Sequence, residues 1–392
     1  MPPAGSSPSR SPAPESRAAP VARSVTAKLE RSPALGRGFR LSGGRLYLKP
    51  TAIGPRTEDG LKLAGGPFGF RAVTVLVRNR DAVRAMDATI DGARRWAAAE
   101  GPDTASEVDA WLERLAAPRP SFAGLAPDRP HLMGIVNVTP DSFLDKGAHA
   151  APEVAVEHGR TLIAAGASLI DVGGESTQPG ADPVAAEEEL KRVLPVVGGL
   201  AEQGATLSID TRKAAVMAAA LDAGAAIVND VSALTHDPAS LALVAARGAP
   251  AILMHMAGEP KTMNLAPAYD HVTLDVYDWL AARVEACVAA GIPRDRLAVD
   301  PCFGFGKAPA HNAALLADLA LFHGLGCWLV VGPSGKRFAG APKRPRTPAE
   351  RRAETLAAAL AAHARGARML RVHDVAAAAA ALAVVAATGG NP

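Results

Sequence analysis

Residues 206–230 read TLSIDTRKAAVMAAALDAGAAIVND. The stretch begins and ends with short runs of apolar, mostly β-branched residues, and each run finishes at an acidic residue, Asp210 and Asp230. An alanine-rich segment of helical character separates the two runs. A buried strand, a polar turn, a helix and a second buried strand form the unit that builds parallel sheets. The stretch therefore predicts an α/β fold with parallel strands.

The same pattern recurs throughout residues 131–392. Its eight apolar runs cover residues 132–138, 168–172, 206–209, 226–229, 251–255, 297–300, 328–332 and 369–373. Eight strands that alternate with helices predict a closed (β/α)₈ TIM barrel, because barrel strands are buried on both faces and are therefore continuously apolar. A doubly wound open sheet is the alternative that this pattern leaves open.

The chain before the barrel has a different composition. Residues 1–40 are rich in Ser, Pro, Ala and Arg and predict a disordered basic tail. Residues 41–127 predict a small accessory α/β segment whose role does not follow from its sequence, and the proline-rich stretch 117–130 is interpreted as a linker into the barrel. The predicted elements of the accessory segment are strands over 45–48 and 70–77 and helices over 81–100 and 106–115.

Charge and cysteine content exclude several classes of protein. Of the net charge of +3, residues 1–40 carry seven basic and two acidic residues, a net of +5 that leaves −2 for the remainder. Without a basic excess on the globular part, nucleic-acid binding is not expected. The scattered Cys287, Cys302 and Cys327 indicate reduced thiols, and no apolar run approaches the roughly 20 residues of a membrane helix. We therefore expect a cytoplasmic protein without a membrane partner.

Polar side chains stand at the ends of seven of the eight apolar runs. These side chains are Asn137, Asp171, Asp210, Asn229, Asp230, His255, Asp300, Arg371 and His373. Any one of them alone is explained as a cap of the following helix. The carboxyl ends of barrel strands meet at one rim, however, and that rim is where barrel enzymes carry their active sites. Together the side chains predict a polar pocket there.

The segments around these side chains resemble the dihydropteroate synthase family. The matching segments are 134–143 (GIVNVTPDSF), 171–180 (DVGGESTQPG), 208–211 (SIDT), 229–231 (NDV), 254–256 (MHM), 300–307 (DPCFGFGK), 332–336 (GPSGK) and 371–374 (RVHD). The resemblance covers residues 131–375. It implies a transferase of folate biosynthesis that condenses 6-hydroxymethyl-7,8-dihydropterin pyrophosphate with 4-aminobenzoate, releases pyrophosphate and uses Mg²⁺. It also implies a homodimer with small-molecule substrates.

The resemblance implies a role for each candidate site residue. Pterin recognition falls to Asp210, Asn229, Asp300 and Lys336 with Met254 and Phe305 beside the ring, the diphosphate to Arg371 and His373, Mg²⁺ to Asn137, and 4-aminobenzoate to Phe143, Thr177, Pro179 and Ser334. The implied catalytic residues are Asp210, Lys336 and Arg371. Buried carboxylates and amides suit the hydrogen-bonding edge of a pterin, and an arginine fork suits phosphate. Because a buried arginine without a partner is costly, Arg371 is expected to face an anion.

The sequence departs from the family's pattern at several positions. Gln178 and Gly335 stand where the family usually has arginine, and Cys302 stands where it commonly has glycine. The first loop is altered at Leu144 and Lys146, of which Lys146, together with Arg337, is a candidate to supply part of the missing charge. The pattern therefore leaves two alternatives to a working synthase. They are a non-catalytic or divergent pterin-binding paralogue and a pterin-dependent methyltransferase with a similar barrel.

Overall fold

The computed structural model of the chain describes residues 28–31, 39–55, 60–80, 82–139, 152–177, 180–259, 263, 267–338 and 346–388. The chain forms an accessory α/β unit followed by a barrel. The accessory elements are β1 (Lys28–Arg31), β2 (Arg45–Pro55), β3 (Leu61–Lys62), β4 (Phe68–Arg78), β5 (Ala82–Thr89), α1 (Ile90–Glu100) and α2 (Pro102–Ala116). Its sheet has the order β1-β5-β4-β2, with β3 paired to β4. The predicted α/β accessory segment is confirmed.

Two details of this unit differ from the predictions. Residues 82–89, expected in a helix, form β5, because Val83, Ala85 and Met86 are buried and the strand pairs antiparallel with β4. The helix begins only after Thr89, whose hydroxyl accepts a hydrogen bond from the backbone N–H of Gly92 at 3.0 Å. Lys28–Arg31, expected in the disordered tail, pairs with β5 as a parallel edge strand.

The predicted closed barrel is confirmed, and the open-sheet alternative is wrong. The barrel strands are β6 (His131–Asn137), β7 (Leu169–Gly173), β8 (Leu207–Asp210), β9 (Ile227–Asp230), β10 (Ala251–Met254), β11 (Leu297–Asp300), β12 (Trp328–Val331) and β13 (Met369–Val372). Every neighbouring pair is parallel, and β13 pairs with β6 to close the ring. Almost every strand residue is buried, as expected for strands covered by side chains inside and helices outside.

The helices that cover the barrel follow the strands in turn. They are α3 (Pro152–Ala164), α4 (Ala186–Ala201), α5 (Ala214–Asp222), α6 (Ser240–Arg247), α7 (Val272–Ala289), α8 (Pro309–Ala317), α9 (Pro348–His363) and α10 (Val375–Ala387), with 3₁₀ turns at Arg294–Arg296 and Leu319–Leu325. The start of α9 is fixed by a capping box between Thr347 and Glu350. None of the helices in the described residues has the length and apolar character needed to cross a membrane.

The accessory unit docks on the outside of the barrel against α7. Trp111 of α2 stacks on Tyr277 with 5.4 Å between ring centroids, and the hydroxyl of Tyr47 donates to the carboxylate of Asp278 at 2.8 Å. A salt bridge of 2.6 Å joins Arg78 to Asp275. The interface therefore combines buried aromatic rings with ion pairs between opposite charges, and these contacts hold the accessory unit against the barrel.

The predicted linker does more than connect the two parts. Phe122 and Leu125 fill the amino-terminal end of the barrel against Trp328, whose indole N–H donates to the carbonyl of Pro120 at 2.8 Å. Arg119 is buried and donates to four backbone carbonyls. The interpretation as a simple linker is therefore wrong, because two apolar side chains between prolines suffice to close the barrel floor.

Candidate active site

A cavity of about 420 Å³ opens at the carboxyl ends of the barrel strands. The predicted site residues that line it are Asn137, Thr177, Asp210, Phe305, Ser334, Lys336, Arg371 and His373. Asn229 is the ladder neighbour of Asp210, and Met254 that of Asp300. The side chains of Asn229, Met254 and Asp300 are almost fully buried. Phe143 and Pro179, which were also predicted at the site, lie outside the described residues.

The floor of the site is organised around the carboxylate of Asp171, which has no exposed surface. One of its oxygens accepts a hydrogen bond from the Ser208 hydroxyl at 2.5 Å. The other accepts from Nδ2 of Asn229 at 3.1 Å and from Nε of Arg371 at 2.6 Å. One buried acid on β7 thereby orients side chains from β8, β9 and β13.

Arg371 joins two acids instead of facing an unfilled anion site. Its Nη2 atom lies 2.7 Å from Oδ2 of Asp210, in addition to the contact of its Nε atom with Asp171. This half-buried arginine therefore has protein partners, which the expectation of an anion did not include, and its contact with the diphosphate stays a prediction. Burial raises the pKa of the Asp210 carboxyl, Arg371 opposes this shift, and the negative charge of Asp171 adds to it.

A second group of charged residues surrounds the aromatic ring of Phe305. Nζ of Lys336 lies 4.2 Å from the centroid of this ring, and burial lowers the pKa of the lysine. Burial raises the pKa of Asp300 to about 6, although its carboxylate accepts the backbone N–H of Cys302 at 2.7 Å. Lys307 donates to the carbonyl of His255 at 3.1 Å, and burial lowers its pKa to about 8. The pocket thus holds acids and bases whose charge changes near neutral pH.

The loop after β7 is anchored by Glu175. This carboxylate accepts hydrogen bonds from Nε of Arg212 and from the backbone N–H of Val184, both at 2.9 Å, and Lys213 lies 3.1 Å away. Burial opposes ionisation, but the hydrogen bonds from Arg212 and Val184 and the charge of Lys213 lower the pKa of Glu175 to about 2. The carboxylate therefore ties the start of the loop to its end and holds Thr177 at the cavity.

Comparisons with known proteins agree on one family. The family described as "Pterin binding enzyme" matches residues 133–373. The dihydropteroate synthase of Escherichia coli (strain K12) is 46% identical over 260 residues, which make up 66% of this chain and 92% of that protein. The chain belongs to the dihydropteroate synthase family. The residues matched by the family model are those of the barrel, so the accessory unit lies outside that match.

Solved structures of dihydropteroate synthases have the same fold. The enzyme of Xanthomonas albilineans with 4-aminobenzoic acid is 49% identical, with a TM-score of 0.64 over 69% of this chain and 97% of that chain. The same enzyme in complex with 7,8-dihydropteroate is 46% identical, with a TM-score of 0.61 over 68% and 97% of the two chains.

The departures from the dihydropteroate synthase pattern fall on the loops of the site. Gly335 lies at the cavity with a φ of +70° and open space beside its α-carbon. Cys302 has a φ of +54°, a conformation that costs a side-chain-bearing residue roughly 1–2 kcal/mol and that glycine adopts freely. Its side chain packs on Val231 and Met254 beneath the cavity. Gln178 lies outside the described residues.

Two residues that organise the site have no role predicted from the sequence. Asp171 is predicted only as one of the polar strand ends. An acid within the apolar run SLIDV has to be paired when its strand is buried on both faces, because an unpaired buried carboxylate is costly. That requirement is the signal that the sequence contains. Glu175 follows two glycines in a loop, where solvent is the simplest partner for a carboxylate. Nothing in the sequence indicates that Arg212 lies beside it.

Proposed function

We propose that the protein is a working dihydropteroate synthase that joins 6-hydroxymethyl-7,8-dihydropterin pyrophosphate to 4-aminobenzoate, giving 7,8-dihydropteroate and pyrophosphate. The observation that carries this proposal is the convergence of Asp210, Asn229, Asp300, Lys336 and Arg371 at one end of a barrel of this family. A paralogue that only binds pterin would need Asp210, Asn229, Asp300 and Lys336, but it would have no need of Arg371, which is assigned to the leaving diphosphate.

The buried acids and amide would bind the pterin ring. A pterin presents N–H donors and ring-nitrogen and carbonyl acceptors along its edge. The carboxylates of Asp210 and Asp300 accept hydrogen bonds from the donors, and the amide of Asn229 both donates and accepts. Lys336 provides a positive charge next to the ring of Phe305, against which a flat heterocycle can pack. A site whose buried polar groups match the ligand rejects ligands that leave those groups unpaired.

Arg371 would stabilise the departing diphosphate. Its Nε and Nη2 atoms hold carboxylates, which leaves Nη1 without a contact in the described residues and able to donate to a phosphate oxygen. His373 lies two residues further on, and its backbone N–H donates to the Ser334 hydroxyl at 3.3 Å. The carbon–oxygen bond to the diphosphate breaks as charge develops on both fragments, so a fixed cation at the oxygen lowers the barrier.

The amine of 4-aminobenzoate would then form the new bond. Its nitrogen donates an electron pair to the pterin methylene carbon, and the displaced proton leaves with solvent or with the diphosphate. Thr177 and Ser334 lie at the cavity mouth, where their hydroxyls can hold the second substrate. The contributions of Phe143 and Pro179 remain predictions.

The donor set of this site fits Mg²⁺ that is carried mainly by the diphosphate. Asn137 lines the cavity and offers one amide oxygen, whereas the described residues contain no group of three His, Cys, Asp or Glu side chains able to hold a metal alone. Mg²⁺ usually takes one or two protein oxygens, with phosphate oxygens and water completing its shell. When bound, the ion would neutralise negative charge on the leaving group.

The direct test uses purified protein with Mg²⁺, the pterin pyrophosphate and 4-aminobenzoate. Formation of dihydropteroate with equimolar pyrophosphate supports the synthase. Binding of the pterin in calorimetry without turnover would instead identify a non-catalytic paralogue. Methyl transfer to a corrinoid protein would support the methyltransferase alternative.

The rate should depend on pH with two limbs. At low pH the carboxyls of Asp210 and Asp300 take up protons, because burial raises the pKa of both, that of Asp300 to about 6, and they no longer accept hydrogen bonds from the pterin as carboxylates. Above about pH 8 Lys307, whose pKa is lowered by burial, loses its charge. We expect kcat/KM for the pterin pyrophosphate to be highest between these values. Lys307→Arg keeps its charge in alkali and should move the upper limb, while a profile without either limb would contradict the assignment.

We also propose that two copies pair through α10. This helix consists only of Ala, Val and Leu, and Val384 is 65% exposed. Exposed apolar helix faces mark contacts with other proteins, and symmetric dimers are the commonest assembly. Val384→Glu should convert a dimer to a monomer in light scattering, whereas Val288→Glu, on the exposed side of α7, should not. A dimer that persists in Val384→Glu would exclude this face.

The three buried free cysteines fit the predicted reducing cytoplasm.

A further inference from the structure

The cations that line the cavity differ in how far they are already engaged. Arg371 is held by two carboxylates, Lys307 by the carbonyl of His255, and Lys336 by the ring of Phe305. Arg337 also lines the cavity, is exposed at its mouth, and has no side-chain contact within the described part of the chain. Among the cations that line the cavity in the described residues, it is therefore the one whose whole side chain is available to a ligand.

The backbone on both sides of Arg337 is fixed, although its side chain is not. The buried amide of Asn312 donates to the carbonyl of Arg337 at 2.7 Å and accepts the backbone N–H of Gly304 at 2.8 Å. The ring of Phe338 lies edge-on to Phe303 with 4.9 Å between centroids. Fixed backbone on either side aims the guanidinium at the cavity at little further entropic cost.

We infer that Arg337 binds the carboxylate of 4-aminobenzoate and so takes over a charge that the neighbouring Gly335 cannot supply. This inference rests on the proposed synthase function. The second substrate carries one carboxylate, which an arginine can bind with two parallel hydrogen bonds.

The position of Arg337 in the barrel favours the carboxylate over the diphosphate. Arg371 and His373, which are assigned to the diphosphate, lie at the end of β13. Arg337 follows β12, as does Ser334, which is assigned to 4-aminobenzoate, and Asn312 connects Arg337 to the loop after β11. Open space beside Gly335 leaves room for a ligand there.

The test compares 4-aminobenzoate with its neutral amide, 4-aminobenzamide, which is used as an inhibitor. In Arg337→Gln we expect KM for 4-aminobenzoate to rise about tenfold, since a charge-assisted hydrogen bond at a partly exposed site is lost. The inhibition constant of neutral 4-aminobenzamide should change less than about twofold, because the lost contact involves only the carboxylate. Arg337→Lys should recover part of the affinity, and added salt should reduce the difference between wild type and Arg337→Gln.

Arg129→Gln is the matched control, because this exposed arginine lies before β6, outside the cavity lining. Equal weakening of the acid and the amide would overturn the inference, and so would a rise confined to KM for the pterin pyrophosphate, which would move Arg337 to the diphosphate. Unchanged kinetics of an active Arg337→Gln enzyme would refute the inference and leave the synthase intact. Absence of turnover in the wild type would refute the proposed function itself.

Discussion

Asp210→Asn is expected to lower kcat/KM for the pterin pyrophosphate by about a thousandfold while the protein stays folded. The carboxylate sits at the cavity, 2.7 Å from Nη2 of Arg371, and is the acid best placed to accept hydrogen bonds from the pterin edge. An amide at this position keeps only one acceptor oxygen, so its NH2 group faces a donor of either the arginine or the ligand. Arg371 keeps Asp171 as a partner, so the loss of stability should stay small compared with the loss of rate.

The matched control is Asp222→Asn on the exposed end of α5, where the carboxylate pairs with Arg247. A fully exposed pair of this kind contributes little to stability, so both stability and kcat/KM should remain close to the wild type. Steady-state kinetics and urea unfolding of the two variants separate the effects. If Asp210→Asn kept wild-type kcat/KM, Asp210 would not be a pterin ligand.

The barrel could be predicted from the sequence because each of its strands depends mainly on local pattern. Runs such as 297–300 and 328–332 are apolar up to their last residue, and the structure places the strands within two residues of them. β5 could not be predicted in the same way. Its residues, AVRAMDAT, include good helix formers, and only pairing with β4 makes it a strand. Tertiary contacts decided that segment, and single-sequence patterns do not contain them.

In the site, too, individual residues could be predicted from the sequence, but the contacts between them could not. The side chains that meet at the cavity were identified because strand ends converge in a barrel. The partners of Arg371 could not be predicted, because an anion would have suited this arginine as well as the acids of β7 and β8 do. The distances of its Nε and Nη2 atoms to Asp171 and Asp210 depend on the shear of the closed ring, which no local motif specifies.

Asp171→Asn is expected to lower both stability and activity. The side chain is fully buried and accepts hydrogen bonds from Ser208, Asn229 and Arg371. Arg371 keeps Asp210 as a partner, but its Nε atom loses a charged acceptor at a buried position, and a hydrogen bond to a charged group contributes about 1.5–3 kcal/mol. In a barrel of this size that loss lowers the melting temperature by roughly 3–12 °C. Pterin affinity should fall as well, because Asn229 and Arg371 lose the group that orients them.

A second variant separates the charge from the orientation. In Asp171→Asn/Arg371→Met both partners of this ion pair are gone, and Asp210, whose pKa burial raises, can take up a proton once it loses Arg371. The free energy of unfolding should therefore recover by about 1–2 kcal/mol relative to Asp171→Asn alone. Activity should not recover, because Arg371 is itself needed for the diphosphate. Calorimetry and kinetics on the two variants provide the comparison. Recovery of neither quantity would show that Asp171 acts through Ser208 and Asn229, and recovery of both would remove Arg371 from the reaction.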